Sequence, residues 1–211
     1  MSKAVERFLS ASDKEAIKAA VSEVESKTSG EIVPMVVPMS YSYSAAAMRA
    51  GLVLGGIMAL VIAFLTGRND MWSLSGLFIA LYLIVSALAV RVHPLLRLFI
   101  MEGEMQEEVE EGALGAFYRN ELYKTRDKTG VLIYISVFER KVWVLADSGI
   151  NEKVDTGCWQ EIVNIITKGI KVNKQGESIC QAVRKCGDIL YEHFPQKSDD
   201  SNELKNLIVE E

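Results

Sequence analysis

Two uncharged apolar runs, residues 50–67 and 71–90, constrain this chain more than any other feature of its sequence. Each run has the length of about 17–25 residues that a helix needs to cross the hydrocarbon core of a bilayer. A soluble helix of that length normally carries a polar stripe, and neither run has one. We therefore predict a transmembrane helical hairpin within a lipid bilayer, rather than a pair of buried core helices.

Small residues recur at every fourth position of the first run, at Gly51, Gly55 and Ala59. Small residues let membrane helices approach closely. This spacing marks a face on which the second helix of the hairpin can pack. Tyr41 and Tyr43, just before the first run, have the amphipathic rings that are typical of the membrane interface.

Arginines lie unequally on the two sides of the hairpin. Arg49, Arg91 and Arg97 flank it on the side of the chain termini, and Arg68 alone lies in the turn. The positive-inside rule places the side richer in arginine in the cytoplasm. The first ten residues lack the apolar core of a secretory signal, and the three cysteines have no paired spacing, which agrees with reduced thiols. We predict that both termini and the folded domain are cytoplasmic.

The residues outside the hairpin have an ordinary soluble composition and suffice for one folded core. A net charge of −5 and a pI near 5.3 argue against binding to nucleic acid, whose phosphates need a basic surface. We divide the chain into the first part of the domain, the hairpin, the second part of the domain and an acidic C-terminal segment, at 1–44, 45–100, 101–195 and 196–211.

Local patterns predict an α/β domain with a small mixed sheet flanked by helices. The strands are predicted at 31–37, 131–137 and 142–147. The helices are predicted at 13–27, where Ser12 and Glu15 form a capping box, at 103–123, from a cap at Asp155 or Thr156 to about Gly169, and up to Phe194.

A long crossover containing a helix joins the first strand to the second, so we expect these two strands to be parallel and the third to be antiparallel. Pro34 has no N–H to donate to a ladder, which predicts an edge position or a bulge in the first strand. A short amphipathic segment at 203–208 is expected to fold back or to bind a partner.

Six glutamates between residues 102 and 111 form one face of the predicted helix at 103–123. We assign Glu104, Glu107, Glu108 and Glu111 as a docking face for a basic partner, expected to be a membrane protein. The alternative is an ordinary solvated face, because acidic residues are enriched near helix starts and on surfaces. The sequence leaves a homo-oligomer open.

Several short blocks carry a resemblance to a known family. They are Glu31-Ile-Val-Pro, the run at 129–142, the pair Gly149-Ile150 followed by Asp155, and His193-Phe-Pro. In these blocks the chain resembles the TPM domain family, and with its hairpin it is similar to a bacterial group of predicted membrane proteins that carry two spans inside this domain. The resemblance implies a TPM-like three-layer α/β fold and a place in the bacterial cytoplasmic (inner) membrane.

Functions attached to relatives in this family include acid phosphatase activity, divalent-metal binding and the assembly or repair of membrane complexes. The phosphatase-like branch carries Gly-Tyr-Gly-Leu-Glu after the third strand. This chain has Asp147-Ser-Gly-Ile-Asn there, so only Gly149 and Ile150 match. The resemblance therefore implies the fold more directly than the activity.

Four carboxylates are expected at one edge of the sheet. If the first two strands are parallel, Glu31 and Asp127 begin at the same edge, the third strand brings Asp147 back to it, and Asp155 starts the next helix nearby. Clustered carboxylate oxygens bind Ca²⁺ or Mg²⁺, and a bound ion polarises a phosphoryl oxygen. The alternative is that Glu31 and Asp127 only keep loops soluble and that Asp155 is a helix cap.

Other catalytic constellations do not emerge from the sequence, and we assign no catalytic residue. Cys186 falls on an apolar helical stripe, which favours a buried structural thiol over a Cys–His dyad with His193. Two hypotheses remain. We favour a non-enzymatic, membrane-anchored module for the assembly or maintenance of membrane complexes over a divalent-metal-dependent hydrolase of phosphate esters.

Overall fold

The computed structural model of this chain describes residues 3–67, 70–155, 157–196 and 204–210, and over these ranges it forms two compact units. Met1–Ser40 and Gln106–Glu211 make up what we call the α/β unit, and Tyr41–Met105 make up the helical unit. The helical unit thus interrupts the α/β unit at 41–105, where the sequence predicted 45–100. The predicted turn residues Arg68 and Asn69, the alternative cap Thr156 and residues 197–203 of the acidic C-terminal segment lie outside the described residues.

The described part of the chain forms one sheet of four strands: β1 (Glu31–Val37), β2 (Gly130–Ser136), β3 (Lys141–Ala146) and β4 (Ile208–Val209). Their order across the sheet is β3-β2-β1-β4. β1 pairs with β2 in parallel, with Glu31 opposite Gly130, and β2 pairs with β3 in the antiparallel sense. The predicted mixed sheet and both predicted strand directions are confirmed.

The described helices are, in chain order, α1 (Lys3–Phe8), α2 (Ala11–Glu25), α3 (Ser44–Ala50), α4 (Gly56–Thr66), α5 (Met71–Arg91), α6 (His93–Leu98), α7 (Glu102–Arg119), α8 (Ser148–Asn151), α9 (Cys158–Lys171) and α10 (Gln175–His193). A π-helical stretch, Gly51–Gly55, joins α3 to α4. A 3-10 turn, Leu122–Lys124, follows α7.

Side chains of the strands alternate between two faces of the sheet. Even-numbered residues of β1, such as Ile32 and Val36, pack in a core with residues of α2, α9 and α10. Odd-numbered residues, such as Val33 and Met35, pack with residues of α7. Helices on both sides of one sheet give the three-layer fold that the resemblance implied.

Pro34 lies inside β1 at a position where its missing N–H is tolerated. The Glu31 N–H donates to the Thr129 carbonyl, so odd-numbered residues of β1 bond toward β2 and even-numbered ones point to the other side. On that side β4 pairs only from Met35 onward. β1 is not an edge strand, but Pro34 itself faces the part of its edge that β4 leaves uncovered.

The C-terminal segment folds back onto the sheet, which was one of its two predicted outcomes. Ile208 and Val209 form β4 and pair in parallel with β1. The Glu210 N–H donates to the Val36 carbonyl at 3.0 Å, and the Glu210 carboxylate lies 3.4 Å from the Arg119 guanidinium. These contacts hold the segment along β1.

The cap of α2 differs from the predicted one. The Ser10 hydroxyl accepts from the Asp13 N–H at 3.1 Å, and the Asp13 carboxylate accepts from the Ser10 N–H at 3.0 Å. The predicted capping box of Ser12 and Glu15 is therefore wrong. Both pairs have the three-residue spacing of a capping box, and the helix begins two residues earlier than the sequence predicted.

The helical unit consists of α3 to α6 and the start of α7. Within the described residues, two helical stretches are long and apolar enough to cross a membrane, Ser44–Thr66 and Met71–Arg91. Only 22% and 11% of the residues in their most apolar windows are buried, so most of their apolar side chains are exposed. Tyr41 is exposed, whereas Tyr43 is fully buried, so the prediction of an interfacial Tyr43 is wrong.

The small residues of the first stretch face α5, as their spacing predicted. A side chain at Gly51 would collide with the Ser86 hydroxyl, and a Cβ at Gly55 would lie 3.0 Å from the backbone nitrogen of Tyr82. Ala59 is buried in the same stretch. The close approach of the two helices therefore depends on the absence of side chains at both glycines.

We expect Gly55→Leu to weaken the packing of the two helices, because its side chain would meet the α5 backbone, which cannot rotate away. Overpacking of this kind costs about 1–3 kcal/mol. Thermal unfolding of the detergent-purified chain measures the effect as a lower midpoint. Gly76→Leu is the matched control, because no atom lies within 4 Å of its added Cβ. Equal midpoints for the two variants would contradict the assigned packing.

Candidate functional site

The topology brings the backbones of two predicted carboxylate residues, Glu31 and Asp147, to the same end of the strands. Glu31 lies opposite Gly130 in the parallel pair. The Asp147 N–H donates to the Gly130 carbonyl at 2.9 Å. Gly130 is therefore flanked by Glu31 on one side and Asp147 on the other.

The side chains at this edge do not gather into a metal site. A Cβ at Gly130 would lie 2.6 Å from the Leu122 carbonyl oxygen, so the backbone of the 3-10 turn fills the space above Gly130. Asp127 is exposed in the loop before β2. Among the described residues, no group of three or more His, Cys, Asp or Glu side chains is arranged to hold a metal ion. The Ca²⁺ or Mg²⁺ site stays a prediction that the side-chain geometry does not support.

Two of the four carboxylates have local roles at helix starts. Asp147 is the N-cap of α8, and its Oδ1 accepts from the Ser148 N–H at 2.6 Å. Its Oδ2 is buried and has no hydrogen-bond partner within the described ranges. Asp155 accepts from the Gly157 N–H at 2.8 Å. Because α9 begins only at Cys158, with Gly157 as its N-cap, the prediction of Asp155 as the helix cap is wrong.

The acidic residues of α7 fall into different environments. Glu107 and Glu111 are exposed, as is Glu110, which the predicted docking face did not include. Glu108 is half-buried and makes contacts of its own. Glu104 forms an ion pair with Arg49 at 2.6 Å. We call Glu107, Glu110 and Glu111 the acidic face.

A buried polar cluster lies at the opposite ends of the strands, and none of its residues was predicted from the sequence as a site residue. Glu139, in the turn between β2 and β3, is 2% exposed. Its carboxylate accepts from the Ser40 N–H at 3.0 Å and from the Ser136 hydroxyl. The Tyr134 hydroxyl donates to Ser40 Oγ at 3.3 Å, and burial raises the pKa of Tyr134. One signal could have identified it: Glu139 comes just after a parallel strand, and ligand sites of open sheets lie at that end of the strands.

A groove of about 630 Å³ runs along β3, and it was not predicted from the sequence either. One wall belongs to α7, with Gln106, Glu110 and Leu114, and the other to α9, with residues including Trp159 and Val163. We call this the edge groove. It could have been anticipated in part, because the predicted strand directions leave β3 with a neighbour on one side only.

Cys186 is fully buried in the core, and burial raises the pKa of its thiol to about 12. A thiol with that pKa stays protonated at neutral pH and is a poor nucleophile. The interpretation of Cys186 as a structural residue, rather than as half of a dyad with His193, is supported.

The fold and its insertion define a class: a three-layer α/β protein in which an apolar helical hairpin interrupts the crossover between two parallel strands. Residues 89–189 match the family model described as TPM domain, so this chain contains a TPM domain. The match begins at the end of α5, so β1 lies outside the matched residues. The resemblance to the TPM domain family is confirmed.

A solved structure with the same fold is the NMR structure of BA42 protein from the psychrophilic bacterium Bizionia argentinensis. The superposition has a TM-score of 0.62 at 23% sequence identity and covers 100% of both chains. At that identity the likeness concerns the fold alone. No curated protein matches this chain.

We expect Asp147→Ala to lower the free energy of unfolding by about 0.5–2 kcal/mol through loss of the α8 cap. The loss should be the same with excess Mg²⁺ or Ca²⁺ and without either ion, because the cap needs no metal. Urea unfolding of the detergent-purified chain measures it, with the exposed Asp188→Ala as control. If either ion stabilises the wild type but not Asp147→Ala, Asp147 is a metal ligand and the cap is not its main role.

Proposed function

We propose that this protein is a membrane-anchored interaction module whose TPM domain lies in the cytoplasm and serves the assembly or maintenance of membrane complexes. One observation carries the anchoring: the two apolar helical stretches expose large side chains along their length. Phe64 is 84% exposed and Trp72 is 89% exposed. Monomeric soluble proteins rarely leave a contiguous apolar surface of this size in water, and a bilayer would cover it.

The orientation in this proposal rests on the arginines. Arg49, Arg91 and Arg97 lie next to the helical stretches on the side of the chain termini, and the sequence that links the two stretches contains Arg68 as its one arginine. The excess of arginine favours the cytoplasm for that side. An even number of spans returns the chain to the side from which it left, so the two parts of the α/β unit lie in the same compartment.

The orientation predicts which thiols an impermeant maleimide reaches in intact bacterial cells. A cysteine placed at Thr66, an exposed residue at the end of α4, should be labelled from outside. Cys158, which is half-buried in the α/β unit, should be labelled only after the membrane is permeabilised. Labelling of Thr66→Cys from the inside alone would reverse the orientation, and recovery of the chain in the soluble fraction would contradict anchoring.

The interaction part of the proposal is supported by the acidic face. Three exposed carboxylates occupy neighbouring positions on one helix, and Glu107 and Glu111 are one turn apart. Such a face attracts a basic partner at long range and is repelled by anionic lipid headgroups. A basic segment of a neighbouring membrane protein is therefore the kind of partner that this face would accept.

We expect the double variant Glu107→Lys with Glu111→Lys to lose the partner proteins that co-purify with the cross-linked wild-type chain from detergent-solubilised membranes. Charge reversal replaces attraction by repulsion without touching a buried residue. Asp188→Lys with Glu192→Lys is the matched control, because these exposed acids have the same four-residue spacing on α10. Equal recovery of partners with both double variants would rule out the acidic face as their docking surface.

A further inference from the structure

One edge of the sheet has no neighbouring strand within the described residues, and that edge belongs to β3. The Asp147 N–H bonds to the Gly130 carbonyl, which fixes the antiparallel ladder so that odd-numbered residues bond with β2. Val142, Val144 and Ala146 therefore point their N–H and C=O groups away from β2. The Asn151 amide donates to the Ala146 carbonyl at 2.7 Å, as this direction requires. The edge offers the backbone groups of Val142 and Val144 for pairing.

These backbone groups open into the edge groove, whose two walls differ in chemistry. The α7 side is polar and carries charges of both signs. The carboxylate of Glu110 is exposed there, and the Lys141 ammonium donates to the Gln106 amide oxygen at 2.8 Å. Arg140 also lines the groove. The α9 wall is apolar at Trp159 and Val163, and the side chain of Val144 packs on that side. An occupant thus meets a polar, charged side with one carboxylate at Glu110 and an apolar wall opposite.

A buried donor on the apolar wall lacks a partner. Trp159 is 7% exposed and lines the edge groove, and its Nε1–H makes no hydrogen bond in the part of the chain that the structure describes. A buried indole N–H usually finds an acceptor. An indole donates and cannot accept, so the missing group is an acceptor such as a carbonyl oxygen.

We propose that the edge groove binds an extended peptide segment of a partner protein, which adds to the sheet as a fifth strand next to β3. An extended backbone supplies N–H and C=O groups that can pair with the backbone of Val142 and Val144. It also supplies a carbonyl oxygen that can accept from the Trp159 N–H. Residues directly opposite in an antiparallel pair have side chains on the same face. The segment therefore places aliphatic side chains opposite Val142 and Val144 toward α9, and basic side chains at the intervening positions toward Glu110.

A second copy of this chain fits the groove less well than a single strand. Each copy holds its β3 edge between α7 and α9, so two copies bring these helices together before their strands can pair. An isolated strand has no such walls. The proposal rests on the proposed interaction function and specifies the form of its partner.

The test uses the full chain in detergent and a synthetic peptide of alternating valine and lysine. Two control peptides carry N-methyl groups, one on every valine and one on every lysine. Valines opposite Val142 and Val144 direct their N–H groups at β3, so methylation of the valines should abolish binding. Methylation of the lysines, whose N–H groups point away, should leave binding intact. Isothermal titration measures all three.

Two variants of the protein test the walls of the groove. Trp159→Phe keeps the aromatic bulk but removes the N–H, and it should weaken peptide binding about three- to tenfold. Glu110→Gln should weaken it by a similar factor, whereas Asp188→Asn, at an exposed acid on α10 that does not line the groove, should have no effect. These results would support the assignment of the two walls.

The proposal is overturned if the wild type does not bind the peptide, or if methylation of the valines leaves binding unchanged. It is also overturned if the purified chain sediments as a dimer that the peptide dissociates, because the groove is then the interface between two copies. The peptide assay in detergent does not depend on membrane insertion. If the variant Glu107→Lys with Glu111→Lys keeps its partner proteins while the peptide still binds, the acidic face is not the docking surface, and the proposal for the edge groove is unaffected.

Discussion

The parallel pairing of β1 with β2 is the contact on which the rest of the α/β unit depends. Glu31 and Gly130 are neighbours in the sheet although almost half of the chain lies between them. Loop-closure entropy rises only slowly with loop length, so an insertion of this size is tolerated if it returns to where it began. A pair of antiparallel helices meets this condition.

Periodicity predicted those parts of the fold that depend on which residues are apolar. The run 131–137 and the alternating run 142–147 became β2 and β3 within one residue at each end. The acidic helix was also predicted correctly, because Val109, Ala113 and Phe117 form a buried apolar stripe that does not depend on the role of the acidic residues. Strand direction followed from the length and content of the connections. Even the four-residue spacing of Gly51, Gly55 and Ala59 was sufficient to locate a helix contact.

Side-chain convergence could not be predicted in the same way. Topology brought Glu31 and Asp147 to the same edge, but the 3-10 turn at Leu122 fills the space above Gly130, and no sequence pattern signalled that turn. Ser12 with Glu15 fits the usual capping-box pattern of Ser followed by Glu, yet the structure uses Ser10 with Asp13, and the local sequence did not distinguish the two. Glu139 gave the weakest signal, because an acidic residue in a β-turn is normally exposed. Here its hydrogen bonds to Ser40 and Ser136 tie the end of β1 to the turn after β2.

The two lateral edges of the sheet differ in how they are covered, and this difference is consistent with a binding role for the β3 edge. Exposed strand edges invite pairing with other chains, so proteins usually block them. The short strand β4 covers the end of β1 with the C-terminal segment, and Pro34 removes one donor from the part of β1 that β4 leaves uncovered. β3 has no covering strand in the described part of the chain and contains no proline; helices α7 and α9 stand on either side of it. In the proposed binding mode, the groove between these walls holds a single extended strand along the edge of β3. The Trp159 indole, whose N–H has no partner among the described residues, lines one of those walls, and a bound strand would bring carbonyl acceptors to it.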